Sequence, residues 1–206
     1  RPPPGDRYFD RIVEAVIDAA GKGHIPRAQY GAVMIDEGKD EDHVPLVKPQ
    51  AAGRHGPAPA VKLLASYDEE ARYIAHVFRR LHEEQGVPWS DMCVTYRSNW
   101  MGDHLKAAFT AASIPCQLLS NSKAKKQFRL GDNRVKLMTM HSSKGLEFPT
   151  VAVSGVGYMP LESGEPMGEA KLLYVAMTRS TDKLLLTSHR HSEFFEQLHE
   201  STASTT

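Results

Sequence analysis

Hydrophobic positions along this chain alternate between a helical and an extended period, and the changes of period mark its elements. From Asp6 to Ala20 the apolar residues Phe9, Ile12, Val13, Val16, Ile17 and Ala20 fall at helical spacing, with Asp6 placed as a cap and Lys22-Gly23 as the stop. Ala32-Val33-Met34-Ile35 follows as a short apolar strand, closed by Asp36-Glu37-Gly38-Lys39-Asp40. Residues 41–60 show no period and are rich in Pro, Gly, His and Ala, as a linker or irregular segment is. A regular alternation then begins. Val61–Ala65 reads as a strand, and Ser66 with Glu69 forms a capping-box pattern before a helix whose apolar face is Ala71, Ile74, Ala75, Phe78 and Leu81. Met92–Tyr96 is the next strand. Ser98 can cap a helix carrying Met101, Leu105, Ala108, Phe109 and Ala112 on one side, and Ile114-Pro115 stops it. Strands are expected again at Cys116–Leu119, Val135–Thr139, Thr150–Ser154 and Lys183–Ser188, with helices near Ala170–Arg179 and Glu193–Leu198. The tail Ser201–Thr206 is expected to be disordered. Strands alternating with helices predict an α/β fold, a mainly parallel sheet with helices on both faces.

Composition narrows the function more than the fold. With 206 residues, 41% hydrophobic and 24% charged, the chain has the profile of a soluble globular protein with room for one ample domain and part of another. No apolar run approaches membrane-spanning length, and no signal-peptide core opens the chain. Cys93 and Cys116 sit in apolar strand-like runs and read as small hydrophobes in a reducing, cytoplasmic compartment. The formal net charge is zero, so any nucleic-acid contact is expected from a local surface rather than a broad basic footprint. The ten histidines show no metal-ligand spacing. The basic run Lys123-Ala124-Lys125-Lys126, with Phe128 and Arg129 after it, reads as a solvated loop before it reads as a nucleic-acid contact.

Three strings carry chemistry. The strand Val135–Thr139 ends in Met140-His141-Ser142-Ser143-Lys144-Gly145-Leu146-Glu147-Phe148, a loop of donors at the edge of an open sheet, where α/β folds bind ligands. Leu173-Tyr174-Val175-Ala176-Met177-Thr178-Arg179 closes on a permanently charged, planar guanidinium suited to phosphate oxygens. Val33–Ile35 runs into the adjacent carboxylates Asp36 and Glu37, an arrangement that can hold Mg²⁺ and orient an attacking water. The first two strings, in this order, closely resemble motifs V and VI of the UvrD/Rep-type superfamily 1 DNA helicases, and the third resembles their motif II. Lys39 stands where that motif usually has glutamine.

The resemblance implies a C-terminal RecA-like domain over residues 61–199, preceded by a fragment of the first RecA-like domain (1–40), a linker or chain break (41–60), and followed by a tail (200–206). It implies an ATP-dependent DNA helicase or translocase that moves on single-stranded DNA or at a duplex/single-strand junction, with ATP and Mg²⁺ bound between two such domains. On that reading Asp36 holds Mg²⁺, Glu37 positions water, and Arg179 senses the γ-phosphate. Gly145 and Glu147 lie toward the nucleotide, while Thr139, His141 and Ser142 contact the DNA backbone. Arg97, in Arg97-Ser98-Asn99, is expected to be architectural. No G-x-x-x-x-G-K-[ST] loop occurs in the sequence, so this chain alone is expected to be inactive. Motif III and the tyrosine-arginine motif of the family are absent between Asp40 and Val61, so a join of separated pieces is expected after Asp40. The chain opens at Arg1 and is expected to be a piece of a longer protein. A non-catalytic, helicase-like nucleic-acid-binding or regulatory module is the rival reading, supported by the missing phosphate loop and by Lys39.

Overall fold

The computed structural model describes residues 57–119, 129, 131–162, 164 and 166–203. The expected N-terminal helix and strand, the Asp36-Glu37 pair, the join after Asp40 and the basic run at Lys123–Lys126 lie outside the described residues.

Six strands form one sheet in the order β1-β6-β5-β2-β4-β3: β1 (Ala60–Leu63), β2 (Met92–Tyr96), β3 (Cys116–Leu118), β4 (Val135–Thr139), β5 (Phe148–Ser154) and β6 (Ser180–Ser188). Every pairing is parallel. The four long helices are α1 (Tyr67–Gln85), α2 (Asn99–Ala111), α3 (Pro166–Met177) and α4 (Glu193–Ala203). The expected RecA-like α/β sheet, covered on both faces, is what forms.

Alternation along the strands decides which helix covers which face. Met92, Val94 and Tyr96 of β2 point to the side of α1 and α2, where Ile74, Phe78, Leu105 and Phe109 are buried. Cys93 points the other way, with Met138, Val151 and Val153, onto Leu173, Met177, Phe194 and Phe195 of α3 and α4. Both faces being covered, β2 is buried along its whole length, which is why it reads as an apolar run interrupted only by Thr95.

Local signals held at α1. Ser66 accepts from the Glu69 amide (3.2 Å), and the Glu69 carboxylate accepts from the Ala65 amide (2.9 Å). Gly86 ends the helix at φ 68°, with its amide on His82 and the Val87 amide on Leu81. Ser98 takes the N-cap position of α2 but makes no side-chain capping bond. α3 begins at Pro166, earlier than expected, because proline's missing N–H and fixed φ suit a first helical turn. It stops at Met177, so Arg179 lies in the turn before β6, not on the helix. β5 and β6 also start earlier than their apolar runs, because Phe148 pairs with Ser180 across the sheet and tertiary pairing overrides propensity there. α4 continues through Ser201–Ala203, into the segment expected to be irregular.

At the carboxyl ends of β5 and β6 a buried carboxylate ties the sheet to α1. Glu70 accepts from the Gly155 amide (3.0 Å) and the Thr187 hydroxyl (2.6 Å), and meets His189 Nδ1 at 2.6 Å. Nearby, Gly157 donates its amide to Ser188 Oγ (3.1 Å), whose hydroxyl donates to the Arg190 carbonyl (2.6 Å). A Cβ on Gly157 would collide with that same backbone carbonyl. Gly157→Ala is therefore expected to cost about 1–3 kcal/mol, read as a lowered urea midpoint at unchanged slope. An unchanged midpoint would show that this corner yields.

Candidate coupling site

The turn chemistry at the end of β4 is local. Thr139 caps the short 3₁₀ turn Met140–Ser143: its Oγ1 accepts from the Ser142 amide (3.2 Å) and lies 2.9 Å from the Ser142 hydroxyl. Ser143 donates to the Met140 carbonyl (2.7 Å) and is buried, as is Met140. These bonds satisfy the turn from within and leave His141 exposed at the carboxyl edge. Partial desolvation of the otherwise exposed ring lowers the pKa of His141, the positive charges of Arg97 and Lys144 lower it further, and Glu169 opposes them. His141 therefore favours its neutral form at neutral pH, a hydrogen-bonding group rather than a cation.

Behind His141 stands the one buried bidentate ion pair among the described residues. Arg97, in the turn after β2, donates from Nε to both Glu169 carboxylate oxygens (3.1 and 3.0 Å) and from Nη2 to Oε1 (2.7 Å). Glu169 lies in the first turn of α3, where a carboxylate also suits the helix dipole. The pair joins the β2 turn to α3, a tertiary role beyond the architectural turn expected of Arg97.

The other expected residues lie at the opposite edge of the sheet. Beyond Ser143 the chain passes Lys144, Gly145 (φ 74°, open space where a Cβ would be), Leu146 and the exposed Glu147 before entering β5. Arg179 closes onto this segment. Its Nε donates to the Val175 carbonyl (2.9 Å), Nη1 to the Leu146 carbonyl (3.3 Å) and Nη2 to the Thr178 hydroxyl (3.1 Å), while its own carbonyl accepts from the Phe148 amide (2.9 Å). The structure thus brings Thr139, His141 and Ser142 together at the carboxyl edge. Gly145, Glu147 and Arg179 gather at the amino edge. α3 spans the two groups: from Glu169 to Met177, two residues before Arg179, it rises about 12 Å.

The segment 140–147 joins the same two edges by a second route. β4 and β5 both pair with β2, so the chain must cross β2 and return the length of β5 to start again in parallel. Two strand spacings of ~4.8 Å and six residues at ~3.3 Å make that span roughly 22 Å. Within it the 3₁₀ turn runs directly into a second turn, closed by the Leu146 amide donating to the Ser143 carbonyl (3.1 Å) with Gly145 at φ 74°. The crossover is folded into two consecutive turns, pinned at one end by Thr139 and at the other by Arg179. Among the described residues no three His, Cys, Asp or Glu side chains converge as a metal site, and the residue expected to hold Mg²⁺, Asp36, lies outside them.

Comparison with known proteins places this geometry. Residues 119–191, which contain both the crossover and Arg179, match the family model described as the UvrD-like helicase C-terminal domain. The chain is similar to the ATP-dependent DNA helicase Rep of Buchnera aphidicola (28% identical over 132 residues, 57% of this chain and 20% of that protein). It is also similar to DNA helicase II of Escherichia coli K12 (40% over 85 residues, 32% of this chain and 12% of that protein). The chain thus spans about a fifth or less of the length of these two relatives. In fold it matches the C-terminal domain of a possible DNA helicase from Lactobacillus plantarum WCFS1, with a TM-score of 0.60 at 14% identity over 95% of this chain and 93% of that one. Residues 119–191 are thus similar to the UvrD-like helicase C-terminal domain.

Proposed function

We propose that this domain couples ATP hydrolysis to movement along single-stranded DNA in the protein that contains it. The observation that carries the reading is the double connection between the sheet's two edges, by α3 and by the 140–147 crossover. At the carboxyl edge, Thr139, Ser142 and His141 offer hydroxyl and imidazole groups of the kind that contact phosphate without reading sequence. At the amino edge, Arg179 offers a planar cation to a transferring phosphoryl group, beside Gly145 and Glu147. ATP is the substrate, and its phosphates must be cradled by a partner domain. Asp36 and Glu37 are the residues of this chain suited to Mg²⁺ and to orienting water. The neutral, self-satisfied turn at His141 supports a grip that tightens and releases, because no strong ion pair has to be broken at each step.

The test is DNA-stimulated ATPase of the intact protein. His141→Ala is expected to raise the DNA concentration needed for half-stimulation by about tenfold, with basal turnover in the absence of DNA as the internal reference. Because the fold favours neutral His141, the slope of log affinity against log salt at pH 7.5 should not change in this variant. The fold's preference for deprotonated His141 also sets a sign. Its stabilising contribution is present above the ordinary histidine pKa and is lost as pH falls through the lowered one. Wild type should therefore gain a phosphate charge contact only on acidification below pH 6.5. ATPase activity that DNA does not stimulate would overturn the coupling reading.

A further inference from the structure

The carboxyl edge carries a second cluster that the helicase motifs do not account for. Trp100, the second residue of α2, contacts Tyr67, at the start of α1, with ring centroids 4.8 Å apart, and Tyr158, which follows β5, at 5.3 Å. Tyr158 meets His189, which follows β6, at 5.2 Å, and the Arg190 guanidinium lies 4.5 Å over the Tyr158 ring. Trp100 is 41% exposed, and among the described residues only Leu63 is a comparably exposed large apolar side chain. All three of its ring contacts are T-shaped (64°, 76° and, with His104, 87°), so no neighbouring ring lies parallel to the indole. Its support is rigid. Tyr67 is buried, and its hydroxyl accepts from Ser154 Oγ (3.0 Å). Arg190 is held by its amide donating to Ser188 Oγ (3.0 Å).

We infer that Trp100, Tyr158 and Arg190 form a stacking platform for the bases of the same single-stranded nucleic acid whose backbone meets Thr139–Ser142. The inference rests on the coupling reading above and adds to it a place for the bases. A rigid aromatic surface with an adjacent guanidinium is the chemistry of sequence-tolerant single-strand binding. The platform is continuous with the β4 turn along one edge: β6, β5, β2 and β4 end side by side, roughly 14 Å from first to last. Three of the carboxylates at this end accept from donors, Glu70 from His189 and Thr187, Asp68 from His104 (2.6 Å) and Glu169 from Arg97, and of these Glu169 is paired with a permanent cation. An apolar peptide would find the indole but would have no use for the guanidinium over Tyr158.

The experiment compares, in the intact protein, affinity for a labelled oligo-dT and for an abasic sugar–phosphate oligomer of equal length. Trp100→Ala is expected to weaken oligo-dT binding by about 5- to 100-fold, the range of one lost base stack. Trp100→Phe should retain most of the affinity, and the abasic oligomer should change by less than twofold. Wild type binding both oligomers equally well would overturn the platform. So would Trp100→Ala leaving oligo-dT within twofold, or weakening both oligomers alike. His141→Ala separates the two ideas. Loss of both oligomers there, with no selective loss at Trp100, would sink the platform and leave the coupling reading intact.

Discussion

Arg179→Ala in the intact protein is expected to lower kcat for ATP hydrolysis by about 10³-fold or more, the scale on which a transition-state arginine acts. The geometry sharpens this expectation. A guanidinium has five N–H donors, and Arg179 directs three of them at the Val175 carbonyl, the Leu146 carbonyl and the Thr178 hydroxyl. The anchoring holds the fork at the amino edge while donors remain for a phosphoryl group. Lysine cannot do both, since its ammonium is a single point on a flexible stem, so Arg179→Lys should recover no more than about tenfold. The variant must also be separated from a loosened loop. If the loss arose from disorder of 144–147, thermal stability and affinity for oligo-dT would fall with kcat. A folded Arg179→Ala protein that hydrolyses ATP within tenfold of wild type would end the assignment.

Arg97→Ala is expected to cost the domain about 3–5 kcal/mol, because it leaves the Glu169 carboxylate buried without its partner. Side-chain exposures of 20% and 6% at Arg97 and Glu169 mean that solvent screens the pair little. For a domain of this size, that loss lowers the melting temperature by roughly 10–17 °C. The pair itself need not be net stabilising, since two desolvated charges offset much of their own attraction. Arg97→Met with Glu169→Leu should therefore restore most of the lost stability. Full-length DNA-stimulated ATPase in that double variant then reports whether the pair also positions His141 against α3. A single Arg97→Ala variant that melts with wild type would show that Glu169 finds water or another donor.

What could be read from the chain was what local spacing determines. α1 was legible because its cap, its stop and its apolar face all lie within one short stretch from Ser66 to Gly86, and β2 because burial on both faces demands a largely apolar run. The strings ending in Phe148 and Arg179 carried the family resemblance, yet did not show that their residues divide between opposite edges of the sheet. That division follows from parallel pairing, which spacing does not encode. Arg97 and Glu169 are 72 positions apart, and Glu70 and His189 are 119 apart. No periodicity connects such partners. Lys136 shows the same limit from inside a strand. It is buried in β4, where an apolar residue would be expected, and the Asp132 carbonyl (3.2 Å) and Gln117 (3.5 Å) receive its ammonium. The Trp100 platform was hidden for the same reason, since its rings come from four separate segments.

The crossover from Thr139 to Phe148 also sets a dimension. Because its chain is pinned by the Thr139 cap, folded through the Ser143–Leu146 turn and held at Leu146 and Phe148 by Arg179, its residue count works as a ruler that measures where β5 may begin. Removing one residue would force either the 3₁₀ turn to unwind or β5 to slide by one position, and that slide would turn Val151 and Val153 away from α3 and α4. Adding flexible residues would do the opposite and let each edge move without the other noticing. The number of residues between the two strand ends is therefore as much a functional parameter as the identity of any side chain along it.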